Sequence, residues 1–228
     1  MSFTLTSLNT PFGLAMFATR SYAGGTLAVL LDEPNPHAAL YAAKSQGVTR
    51  VIEAVSVRAV DPLLAEGDVI IPDGLVDLTQ NRRSTFFAQR GYGFIGQEPV
   101  WCPETRAALL ASAEQTGARV FARGTLAVGE SGTTPEQAAE WGAQALALAG
   151  APTAFLAKEL ELCYAVVAIV GTAAGPLGNA LIAATSKHLP EQRTCACATT
   201  MQPARERGLV GDDWRGWIGE INGTDSEK

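Results

Sequence analysis

Residues 36–57 read PHAALYAAKSQGVTRVIEAVSV, and the way this stretch divides decides the fold. Pro36 to Gln46 is an alanine-rich segment that opens on a proline. The first helical turn accepts proline because the N–H it lacks has no intrahelical partner there. Gly47 follows, a residue free to take the left-handed backbone on which helices end. Val51 to Val57 is then an apolar, β-branched run of strand length. A helix, a glycine stop and a strand in direct succession form the repeating unit of an α/β domain.

The same alternation extends outward. Thr26 to Leu31, Ala118 to Phe121 and Cys163 to Val170 read as strands, the last being the most apolar. Val69 to Pro72 and Leu75 to Leu78 read as two strands joined at Asp73-Gly74, a turn dipeptide that predicts a hairpin. Pro103 to Thr116 has a proline and an acid in its first turn and stops at Gly117, which predicts a helix. Pro135 to Leu148, Pro152 to Leu160 and Gly178 to His188 are the other expected helices. The expected fold is therefore α/β, a central mixed sheet flanked by helices, forming one domain over residues 1–205. Residues 206–228 read as a tail in which Trp214 and Trp217, three apart, share one face of a short helix that docks on this chain or a neighbour.

Composition narrows the function classes. The chain has 228 residues, 47% of them hydrophobic and 18% charged, which suits a globular domain rather than a disordered segment. A net charge of −6 leaves no basic surplus for a nucleic-acid partner. The longest apolar run, Tyr164 to Val170, is too short to span a bilayer, and the N-terminus lacks the pattern of a signal peptide. The expectation is a cytoplasmic protein with neither membrane nor nucleic-acid contacts. The four cysteines read as reduced thiols. Cys195-Ala196-Cys197, with only His37 and His188 elsewhere, makes a poor zinc site, so neither a metal nor a cofactor is expected.

Several segments, in order, resemble the methylthioadenosine and purine nucleoside phosphorylase superfamily, in its trimeric branch. Thr10-Pro11-Phe12-Gly13 is similar to an early turn of that family. Leu40 to Lys44 followed by Gly47 to Ile52 resembles its IYALKELGVTRVI segment, and Glu66 to Asp73 its PGDLVIPDQ segment. Arg83 to Phe87 resembles RPSTFF, and Trp101-Cys102-Pro103 resembles PFCP. Trp141-Gly142-Ala143, Leu156 to Glu159 and Cys163-Tyr164-Ala165 resemble WGAD, LAKE and CYA. The resemblance covers residues 10–205. It implies the phosphorylase/hydrolase-like fold, a homotrimer, and a pocket for a small molecule that phosphate attacks.

The functional elements of that family look altered here. Met1 to Asn9 lacks the glycines of the phosphate loop, so the chain reads as truncated at its start relative to the family. Asp32-Glu33 stands where cations belong, and acids beside a phosphate would repel it. Val55 and Arg58 replace a polar residue and a glycine that approach the ligand. Ala147-Leu148-Ala149 stands in place of an NMT motif, and Gly171-Thr172-Ala173-Ala174 in place of TDYD. Phe94 aligns with a histidine that reaches the neighbouring subunit. The resulting expectation is a repurposed enzyme with a degenerate site that acts on a largely apolar molecule and not by purine nucleoside phosphorolysis. Glu130 and Arg58 are its expected catalytic pair, and His37, Val55, Phe94, Thr125, Leu148, Thr172 and Ala174 its expected binding residues. A non-catalytic scaffold or partner subunit of an active homologue is the alternative, and phosphorolysis with displaced residues is the third reading.

Overall fold

A computed structural model describes residues 3–87, 95–171 and 174–218. The chain opens with β1 (Thr4–Thr10), β2 (Gly13–Tyr22) and β3 (Gly25–Leu31), then α1 (Pro36–Ser45) and β4 (Arg50–Ala59). There follow β5 (Val69–Ile70), β6 (Gly74–Asp77), α2 (Pro103–Ala113), β7 (Val120–Phe121), β8 (Thr125–Val128), α3 (Pro135–Glu140) and β9 (Ala145–Ala147). The last elements are α4 (Thr153–Glu159), β10 (Cys163–Val170), α5 (Ala174–Thr185), a 3-10 turn (Ala196–Thr199), α6 (Gln202–Glu206) and α7 (Trp214–Trp217).

The ten strands among the described residues join one mixed sheet, ordered β1-β2-β3-β4-β10-β5-β7, with β9, β8 and β6 branching from β4. β10 lies between β4 and β5, and each of its eight residues is buried, which explains its unbroken apolar sequence. α1 follows the opening stretch closely. Asn35 caps it by accepting the Ala38 N–H at 3.2 Å, and Gly47 (φ 75°) turns the chain into β4. No helix among the described residues is long and apolar enough to cross a membrane.

Two expectations about elements need correction, and one element is added. Residues 69–78 do not form a hairpin: β5 pairs with β10 and β7, whereas β6 pairs with β8. Asp73-Gly74 is the point where the chain passes from one set of partners to the other. The helix expected over 135–148 ends at Glu140. Its start is a capping box of Thr134 and Gln137, its end is Gly142 at φ 73°, and the alanines beyond are strand β9, buried between β4 and β8. The β1–β2 hairpin was not foreseen, although its turn, Thr10 to Gly13, was. There the Thr10 hydroxyl donates to the Gly13 carbonyl at 2.7 Å.

One departure from regular pairing positions the site. β3 pairs with Arg50 to Ala54 of β4, while β9 pairs with Val57 to Ala59. β10 occupies the other edge of β4 as far as Val57, so β3 and β9 take successive parts of the same edge. Between them the ladder opens at Val55 and Ser56. Asp32, in the left-handed region at φ 43°, closes part of this gap by donating its N–H to the Ala54 carbonyl (3.1 Å). Its carboxylate accepts the N–H and hydroxyl of Ser56, both at 2.9 Å. A crevice where neighbouring strands diverge beyond their carboxyl ends is the usual location of a ligand site in α/β sheets.

Candidate active site

A cavity of about 810 Å³ opens at this divergence. One wall is the β3–α1 loop, with Asp32, Glu33 and His37. A second is the end of β4, with Ser56 and Arg58. Arg82 and Arg83 form the third, and the β9–α4 loop from Leu148 to Thr153 the fourth. Gly171, at the end of β10, also reaches the cavity. The lining carries three guanidinium groups and two carboxyl groups, so the expectation of an apolar pocket is overturned. Arg82 and Arg83, neither of them an expected site residue although Arg83 stands in the segment that resembles RPSTFF, enter from a segment without regular structure.

Two carboxylates hold that arginine segment. At its start, Glu130 Oε1 accepts the N–H groups of Gln80 and Asn81, each at 3.1 Å. These bonds, that of Asn81 foremost, hold the Glu130 carboxyl below its ordinary range. At its end, Glu159 accepts the Thr85 hydroxyl at 2.5 Å and the Phe86 N–H at 2.6 Å. Burial pushes the Glu159 carboxyl up to about 7 despite these donors. Arg82 spans the loops by donating to the carbonyls of Leu148 (2.6 Å) and Gly129 (3.4 Å). Arg83 donates to the carbonyls of Thr85 (3.0 Å) and Phe86 (3.4 Å). Arg58 donates to the Thr133 carbonyl. A guanidinium has five N–H donors, so these bonds leave each arginine with more to offer.

The acidic wall is equally well held. Glu33 accepts the Asn35 N–H at 2.7 Å, and burial raises its carboxyl above the ordinary range. Beneath it, Glu53 of β4 is wholly buried and accepts the Glu33 N–H (2.9 Å) and the Tyr164 hydroxyl. Burial pushes the Glu53 carboxyl up to about 7. His37, at the start of α1, has Nε2 3.3 Å from the Thr85 carbonyl and lies against Phe86 (ring centroids 5.0 Å) and Phe12 (5.7 Å). Burial lowers its basicity, which favours the neutral imidazole.

The residues expected at the site are only partly gathered. Arg58, His37 and Leu148 line the cavity. Val55 is fully buried in β4, behind the lining. Thr125 opens β8 beside Gly74 of β6, where its N–H donates to the Gln144 side chain at 2.7 Å. Glu130 and Arg58 engage different partners and form no opposed pair. Ala174 is the first residue of α5. Phe94 and Thr172 lie outside the described residues.

The family model described as the phosphorylase superfamily matches residues 19–200. A 6-oxopurine nucleoside phosphorylase of Pyrococcus furiosus is 30% identical over 203 residues, covering 75% of this chain and 76% of that protein. A probable 6-oxopurine nucleoside phosphorylase of Dictyoglomus turgidum is 26% identical over 89% of this chain and 91% of its own length. An S-methyl-5'-thioadenosine phosphorylase of Mycobacterium tuberculosis is 37% identical over 60% of this chain and 53% of its own. Among solved structures, a methylthioadenosine phosphorylase from an Antarctic soil metagenomic library superposes with a TM-score of 0.71 at 20% identity, covering 88% of this chain and 84% of that one, and so shares the fold. The expectation of a non-phosphorolytic enzyme for an apolar molecule is corrected by these relatives, each named for phosphorolysis, and by the charged cavity. This chain belongs to the phosphorylase superfamily.

Proposed function

We propose that this chain cleaves the glycosidic bond of a purine nucleoside with inorganic phosphate, using the 810 Å³ cavity as its active site. The observation that carries the proposal is the placement of Arg58, Arg82 and Arg83 across from Asp32 and Glu33 in one cavity. Phosphate calls for charged donors, and guanidinium groups grip it through paired N–H groups. A phosphate oxygen attacks the anomeric carbon while the bond from that carbon to the purine nitrogen breaks. The purine leaves with the bonding pair and takes up a proton, giving a pentose 1-phosphate and free base.

The acids have separate places in this reading. The Asp32 carboxylate is turned to Ser56, which donates to both of its oxygens, and burial raises the Glu33 carboxyl above its ordinary range. In this reading Glu33 is the group that donates a hydrogen bond or proton to the departing purine. His37, which lines the cavity, is the ring against which the base stacks, and the arginines take the role of the phosphate donors missing from the family's usual motifs. The proposal includes a homotrimer, which the sequence resemblance implies. It is supported by an outward apolar face on the β1–β2 hairpin that includes Leu14 and Met16.

The test is incubation of the protein with inosine, adenosine and methylthioadenosine, with and without phosphate, followed by chromatography of the free base. Base release that requires phosphate is the expected result, and absence of release from all three with phosphate present overturns the proposal. Arg58→Ala is expected to raise the KM for phosphate by about tenfold or more, corresponding to loss of a charged hydrogen bond worth roughly 1.5–3 kcal/mol.

A further inference from the structure

Four sulfur atoms from three distant parts of the chain meet at the other end of the central strands. The Sγ atoms of Cys102, Cys163, Cys195 and Cys197 all lie within 4.8 Å of one another. Cys102 is the residue before α2, Cys163 is the first residue of β10, and Cys195 and Cys197 sit at the start of the 3-10 turn. The Cys163 and Cys195 sulfurs are 3.4 Å apart and those of Cys102 and Cys195 are 3.7 Å apart. All four are free thiols. Four thiolates at about 2.3 Å from one zinc ion form a tetrahedron with edges of about 3.8 Å. A disulfide needs its sulfurs at about 2.05 Å. The spacings of 3.4 and 3.7 Å lie near the edge of a metal tetrahedron and far from a disulfide bond.

We propose that Cys102, Cys163, Cys195 and Cys197 form a tetrathiolate site for a zinc-class divalent ion, which fastens the segment around residues 190–200 to the domain. The first two ligands are buried and the other two half-buried, and all four positions are filled by protein. Such a closed set suits a structural ion, because a catalytic zinc keeps a position open for water or substrate. Loading one divalent ion displaces the thiol protons and leaves an excess of negative charge. Two buried cations are placed to offset it. Arg50 is fully buried with Nη1 3.9 Å from Cys163 Sγ, and Lys158, 7% exposed, donates to the carbonyl of Pro99, three residues before Cys102, at 2.6 Å.

The surroundings are preorganised. The buried Thr105 hydroxyl, in the first turn of the helix that Cys102 precedes, has no hydrogen-bond partner among the described residues, so it is available to donate to a thiolate. Arg50 also donates to the carbonyls of Pro190 (3.2 Å) and Gln192 (3.3 Å). Glu104, beside the cluster, pairs with Arg50 at 3.0 Å and accepts the Thr194 N–H at 2.7 Å and hydroxyl at 2.6 Å. Beyond the second cysteine, the Thr200 hydroxyl donates to the Lys158 carbonyl at 2.6 Å. The loop bearing Cys195 and Cys197 is thus tied down on both sides. A poor zinc site was expected because the sequence places only two of the ligands close together, whereas the fold brings in Cys102 and Cys163. Cys163 pairs with Arg50 at one end of β10 and β4, and the active-site cavity lies at the other end. The seven residue steps between amount to about 23 Å at roughly 3.3 Å each.

The test uses the full chain, produced with zinc in the medium and purified under mild reduction. Elemental analysis after gel filtration is expected to give one zinc per chain, and titration with a mercurial reagent is expected to release it as the four thiols react. Cobalt substitution is expected to give the intense visible bands and near-ultraviolet charge transfer of a tetrahedral thiolate site. Cys195→Ser with Cys197→Ser is expected to lose the ion. Should that variant fail to fold, the intact mass of the unaltered protein under native and denaturing conditions decides alone. Substoichiometric zinc with four freely reactive thiols overturns the proposal. So does a denatured mass short by two hydrogens for each bridge, which would make the cluster a pair of disulfides.

Discussion

At the scale of single residues, the carboxyl group with the largest consequence is Glu53. It is completely buried, and the Tyr164 hydroxyl and Glu33 N–H are its partners. Its pKa of about 7 in the folded protein, against an ordinary 4.5, means that the native state holds this proton longer than the unfolded chain does. Between those two values the unfolded state binds fewer protons, so stability falls as pH rises. The loss begins near pH 4.5 and is complete above about pH 7, on the order of 3 kcal/mol for this group. Glu159 adds a second slope of the same sign, with a similar value but less complete burial. Glu53→Gln keeps the shape of the side chain, and its amide can donate to Tyr164 once that hydroxyl turns. The variant is expected to show a shallower decline in melting temperature from pH 5 to pH 7.5 than the unaltered protein. An unchanged slope in the variant would show that Glu53 does not carry the effect.

At the scale of elements, α5 docks on β4 through Gly178, which is buried. A β-carbon built there would lie 2.6 Å from the Ala54 Cβ, a strand atom with nowhere to move. Gly178→Ala is therefore expected to destabilise by roughly 1–3 kcal/mol, since overpacking outweighs the improved helix propensity. Gly175 is in the same helix with open space around it, and Gly175→Ala is expected to be neutral or mildly stabilising. Thermal melts of the two variants side by side measure the difference, and equal melting temperatures would contradict the packing argument. The same contrast between local signal and tertiary setting explains what the sequence disclosed. α1, β3, β4 and β10 were legible because proline starts, glycine stops and apolar runs are local signals. The alanines at 145–147 were misread because their strand state is imposed by burial between β4 and β8. Arg82 carried no local signal, and Arg83 carried one for the family but none for the site. They reach it because Glu130 and Glu159, distant in sequence, hold the segment at both ends. Glu130 was expected in a catalytic pair with Arg58, and its carboxylate accepts the main-chain N–H groups of Gln80 and Asn81.

At the scale of the whole molecule, the β1–β2 hairpin presents an uncovered apolar face. The register sets Leu5 opposite Ala18, Ser7 opposite Met16 and Asn9 opposite Leu14, so these side chains share one face of the pair. Leu5 is 70% exposed, Leu14 55% and Met16 53%, whereas Ala15 and Phe17 on the other face are buried. β1 is also a sheet edge, with a row of backbone groups available for pairing. Clustered apolar side chains beside an open edge are what a subunit contact covers. In a closed ring of three, each contact joins two different surfaces, so the hairpin must meet another region of the next copy. Trp141 at 64% exposed and Leu148 at 47% are the candidates for that second surface, and Leu148 also lines the cavity. Joining the hairpin of one copy to Leu148 of the next would place the contact beside the active site. Sedimentation at micromolar concentration is therefore expected to give a trimer. Leu14→Asp combined with Met16→Asp is expected to dissociate it while the far-ultraviolet dichroism stays unchanged, because both side chains already face solvent in the single chain. If phosphorolysis is assayed on the same samples, turnover should fall along with the trimer population. A monomer in the unaltered protein at that concentration would remove the trimer from the proposal and leave the cavity to act within one chain.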